Sequence, residues 1–96
     1  MNPDSLAALP GSDLVLAGLR DVRAGTDSPE AWLVRIGADN LRARGLDVPH
    51  VSTTHSPEHQ LYALLVQRHG RAAHSRYNAL IRRLVSFERA LACGSL

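Results

Sequence analysis

Lysine is absent from this chain of 96 residues, so all 11 of its basic residues are arginines. A surface carrying only planar guanidinium forks favours bidentate pairing with carboxylate or phosphate and stacking on aromatic faces, which is partner-binding chemistry. Arginine-only usage also suits a bacterial genome of biased base composition. Cysteine is reduced to Cys93, which excludes an intramolecular disulfide and a cysteine-built zinc site and fits a reducing compartment. The longest apolar stretch near the N-terminus, Leu14 to Leu19, is far too short to span a bilayer, and Asp4 stands where a secretory leader would carry positive charge. A cytoplasmic protein with no membrane contact is expected.

Catalytic signatures are also missing. The seven glycines are scattered and make no phosphate-cradling loop. No nucleophile stands beside an oriented base, and no two carboxylates share a scaffold. The five histidines, His50, His55, His59, His69 and His74, fall at helix boundaries or in a loop rather than in pairs on one helix face, and only Glu58 among the acids lies beside them. The sequence therefore predicts no catalytic residue, no metal, no cofactor and no small-molecule substrate.

What is present is ordinary globular composition, 45% hydrophobic and 21% charged. At this length it predicts one domain over residues 1–96, because so small a chain buries only about 60–65% of its unfolded surface and cannot divide into two cores. Charge is uneven. Residues 1–50 hold 5 Arg against 7 acids, and residues 51–96 hold 6 Arg against 2, so the net +2 conceals a basic C-terminal half.

Four segments have helical punctuation. The first opens at Ser12, read as the N-cap, with Asp13 at the positive end of the helix dipole; Val15, Leu19 and Val22 form its apolar stripe and Gly25 closes it. The second opens on Ser28-Pro29-Glu30 and carries Trp32, Leu33 and Ile36; Gly37 kinks or breaks it, and Gly45-Leu46 is a left-handed stop. Residues 46–55 form one extended loop, with Val48 and Val51 turned inward. The third opens on Ser56-Pro57-Glu58, packs Leu61, Leu64 and Leu65, extends its apolar side through Tyr62 and Val66, and ends at Gly70. The fourth, Ala72 to Ala92, spaces Ala73, Tyr77, Leu80, Leu84, Phe87 and Leu91 at steps of 4, 3, 4, 3 and 4, widened by Ile81 and Val85. No segment alternates apolar and polar residues, so a sheet has nothing to be built from. The expected fold is all-α, a small four-helix up-and-down bundle with a long C-terminal helix.

Function is read from the surface left over. The polar row His74, Asn78 and Arg82, continued by Ser86 and Arg89, predicts a flank for a protein partner, and the long seam invites a homodimer. Trp32 and Tyr62 are the candidate anchors, although a lone tryptophan is more often core. The alternative is a nucleic-acid-binding regulator in which helices three and four form a helix-turn-helix-like pair and Arg71, Ser75, Arg76, Asn78 and Arg83 reach bases or phosphates. Against it stand the single glycine between the helices, the length of the fourth helix and the small net charge. A small enzyme is the remote third reading. The first reading is a non-catalytic interaction or regulatory module.

Overall fold

The computed structural model describes residues 8–50 and 55–94. Among them the chain forms five α-helices, a 3-10 turn and no strand: α1 (Ser12–Ala24), α2 (Pro29–Ile36), α3 (Ala38–Ala43), α4 (Pro57–His69), the turn Gly70–Ala72, and α5 (Ala73–Gly94). The all-α expectation holds. The second segment divides at Gly37 into α2 and α3, as an unsupported glycine in a helix interior favours. The last helix continues past Ala92 to Gly94.

Local chemistry accounts for most of the boundaries. The Ser28 hydroxyl accepts from the Ala31 amide (3.0 Å) and donates to Asp21 Oδ2 (2.7 Å), so one side chain both starts α2 and ties it to α1. The Ser56 hydroxyl accepts from the His59 amide at 3.2 Å to start α4. At the end of α3, Gly45 lies at φ 96°; its amide bonds to the Arg42 carbonyl and the Leu46 amide to the Leu41 carbonyl, both at 3.0 Å. This is the paired-bond left-handed stop expected there.

The start of α1 differs from the sequence reading. The N-cap is Gly11, at φ 78°, and its side-chain-free cap leaves Ser12 buried as the first helical residue. The reason is steric: a Cβ on Gly11 would sit 2.6 Å from the Arg83 carbonyl oxygen of α5. That close approach demands a glycine and moves the cap one residue earlier.

α1 lies against α2, α2 against α4 and α4 against α5, while α5 also touches α1 and α2. The core is made from Val15, Leu19 and Val22 of α1, Leu33 and Val34 of α2, Leu61 and Leu65 of α4, and Leu84, Phe87 and Leu91 of α5. α5 is unbroken; its 22 residues span about 33 Å, close to the 40 Å long dimension of the molecule. Trp32 is 8% exposed, with the Arg35 guanidinium 4.3 Å above its ring. Its reading as a surface anchor is therefore corrected: burying so large a ring removes more apolar surface from water than any contact at the rim would.

The loop after α3 is held by arginine. Arg42 donates from Nε to the Val48 carbonyl (2.8 Å) and from Nη2 to that of Pro49 (3.0 Å), while Arg23 donates to the Asp47 carbonyl at 3.2 Å. These bonds supply the backbone acceptors with donors that no neighbouring strand provides. Val48 is turned inward as expected; Val51 lies outside the described residues.

An ion pair joins the two ends of the fold. Arg83 Nη2 on α5 lies 2.6 Å from Asp13 Oδ1 in the first turn of α1. The hydrogen bond from Arg83 holds the Asp13 carboxyl below its ordinary value. The native chain thus binds fewer protons there than the unfolded chain. The stabilisation is complete above the ordinary carboxylate range and is lost as pH falls through the lowered native value. Both groups are largely exposed, so the effect is below about 1 kcal/mol. Urea titrations of the wild type and Asp13→Asn between pH 6 and 2 should show a stability gap that closes on acidification. Parallel curves would show that the pair contributes nothing.

Candidate functional site

Among the described residues the α4–α5 hairpin carries the large apolar side chains left in solvent: Tyr62 is 38% exposed, Val66 47% and Val85 36%. The sequence reading placed Val66 and Val85 as extensions of apolar stripes, and Tyr62 both there and as a candidate anchor. The structure turns them outward because Leu61 and Leu65, with Leu64 partly buried beside them, fill the inner face of α4, and the seam through Leu84 and Phe87 fills that of α5. Tyr62 is packed against two other rings. Its ring stands edge-on to Tyr77 at 5.6 Å and to His74 at 6.4 Å between centroids, an arrangement that fixes aromatic rings against one another. Burial, and secondarily the charge of Glu58, raise the pKa of the half-buried Tyr77 phenol.

The polar row named from the sequence runs beside this aromatic cluster. His74 and Asn78 are exposed and in contact, with Asn78 Nδ2 3.2 Å from His74 Nε2. Arg82 folds back, donating from Nε to the Asn78 carbonyl oxygen at 3.3 Å, and Arg89 is exposed one turn beyond Val85. Arg89 borders a groove of about 310 Å³ between α3 and α5, lined by Asn40 and Arg44 on one side and Val85, Glu88, Arg89 and Ala92 on the other. Within it Glu88 Oε2 is covered and has no hydrogen-bond partner. Sequence reasoning missed the groove because its two walls are 41 or more residues apart in the chain; only the break at Gly37, which makes α3 a separate helix, hinted at a second wall.

A second hollow, about 210 Å³, opens between α4 and the start of α2 and is lined by Asp27, Trp32, Gln60, Ala63, Leu64 and Gln67. It gathers no ionic groups except Asp27.

The residues of the nucleic-acid alternative are dispersed. Arg71 lies in the 3-10 turn, and Ser75 and Arg76 are exposed in the first turn of α5. Asn78 is in contact with His74, and Arg83, two turns beyond Arg76 on the same face, is paired with Asp13. Of the histidines, His55 and His59 pack ring to ring at 5.4 Å, and among the described residues no three of His, Cys, Asp and Glu come together in a form able to hold a metal ion. Cys93 is exposed on the last turn of α5. Among the described residues no helix is long and apolar enough to cross a membrane. No protein-family model matches this chain, and no curated protein or solved structure matches it either.

Proposed function

We propose that this chain is a non-catalytic protein-interaction module whose contact surface is the outer flank of the α4–α5 hairpin. One observation carries the reading: the exposed large apolar side chains Tyr62, Val66 and Val85 share the hairpin with the row His74, Asn78, Arg82 and Arg89, so apolar anchors and hydrogen-bonding groups stand together. Aromatic and arginine side chains ringed by polar groups are the usual content of a binding hot spot. The four segments are read as running up and down, which the short connections between the first and second and between the third and fourth favour; that leaves the hairpin as an outside layer. A reducing cytoplasm is the compartment that suits its single cysteine. The nucleic-acid reading is weaker, since Arg83 is engaged with Asp13.

A photo-crosslinking amino acid at position 66, in the chain expressed in its native host, tests the surface. A single discrete adduct is expected from position 66, absent when the same group is placed at the exposed position 20 on α1, and lost when Tyr62→Asp is added. Equal labelling from both positions would overturn the reading.

A further inference from the structure

α5 carries two rows with one spacing. The inner row, through Leu80, Leu84 and Phe87, feeds the core. One residue later runs His74, Asn78, Ile81, Val85, Glu88 and Ala92, again at steps of 4, 3, 4, 3 and 4. That row is exposed at His74, Asn78 and Val85 and only partly covered at Ile81, Glu88 and Ala92. Such spacing is what one helix needs to stay in register with another over several turns, and α3 and α4 border the row without closing it.

Resting on the interaction-surface reading above, we infer that the partner is a second copy of this chain, with the two α5 helices antiparallel about a two-fold axis centred at position 83. The apolar members of the row set the axis: with it midway between them, Ile81 of each copy packs on Val85 of the other. A two-fold contact must be self-complementary. Asn78 comes opposite Glu88, so the amide of one copy can donate to the carboxylate of the other. His74 comes opposite Ala92. The ridge formed by Tyr62 on His74 and Tyr77 is thereby set against the groove walled by Val85, Glu88, Arg89 and Ala92. A parallel pairing of the same row would instead place Glu88 on Glu88, which like-charge repulsion disfavours.

The native cysteine reports the geometry. Cys93 lies ten residues beyond the axis on each helix, so nitroxides attached there should be separated by about 30 Å along the pair. Parallel helices would bring them to about 10 Å. Sedimentation should show a dimer, and Val85→Arg, at an exposed site where it need not disturb folding, should weaken it by about tenfold or more. The register is read by rescue: Glu88→Arg should weaken the dimer, and adding Asn78→Asp should restore it. Positions 78 and 88 are about 15 Å apart within one helix, so restoration reports contact between copies.

A label distance near 10 Å, a rescue that fails while the wild type dimerises, or a monomer at all accessible concentrations would each overturn the inference. The adduct from position 66 separates this failure from that of the broader reading. An adduct of twice the chain mass supports both. One with a different protein keeps the interaction surface and rejects the second copy.

Discussion

Phe87→Ala is expected to destabilise the chain by about 3–5 kcal/mol, the range for truncating a fully buried aromatic side chain. Phe87 is 0% exposed and the largest of the completely buried side chains. It lies beneath the left-handed Gly11 turn, so close that a Cβ on Gly11 would stand 3.4 Å from the Phe87 Cβ. The loss therefore combines transfer of the ring to water with a cavity between α5 and the start of α1, and the rigid turn above it has little freedom to collapse. Urea denaturation would show a lower midpoint with unchanged slope. A change below about 1 kcal/mol would mean that the cavity closes or that the ring is not buried.

Gly18→Ala should also destabilise, against the direction of helix propensity. Alanine for glycine in a helix interior is favourable by roughly 1 kcal/mol on its own. Here α1 crosses α2 so closely that a Cβ on Gly18 would collide with the Glu30 carbonyl oxygen and with the Val34 side chain. One of those atoms belongs to the backbone, so relief requires the two helices to separate rather than a rotamer to change. Overpacking of this kind costs about 1–3 kcal/mol, enough to outweigh the propensity gain. Thermal and urea unfolding of the variant would decide it, and a more stable variant would show that α1 and α2 stand further apart.

The elements of this fold were legible because their ends carry chemistry that acts locally. The caps at Ser28-Pro29-Glu30 and Ser56-Pro57-Glu58 and the stop at Gly45-Leu46 are made by backbone and hydroxyl bonds spanning five residues or fewer, so the string of letters contains their cause. The seam of α5 was legible for a related reason, since its period survives over five turns. Gly11 and Gly18 were not, because what makes them necessary is the Arg83 carbonyl and the α2 backbone, groups distant in sequence. The same limit governs the surface. The row His74, Asn78 and Arg82 could be named from spacing, but whether Tyr62, Val66 and Val85 extend the core or face solvent depends on how much of each stripe the neighbouring helices consume. The groove beside Glu88, with walls from α3 and α5, has no trace in any single window of sequence.

The two rows of α5 differ by a single step, a rotation of about 100°, and this makes the helix intolerant of changes in length. Deleting Ala79 would carry Ile81, Val85, Glu88 and Ala92 into the places held by Leu80, Leu84, Phe87 and Leu91, delivering an acid to the interior in exchange for the aromatic ring. Descendants of this chain can therefore exchange one side chain for another along α5, but between Tyr77 and Leu91 they cannot gain or drop a residue without turning the helix inside out.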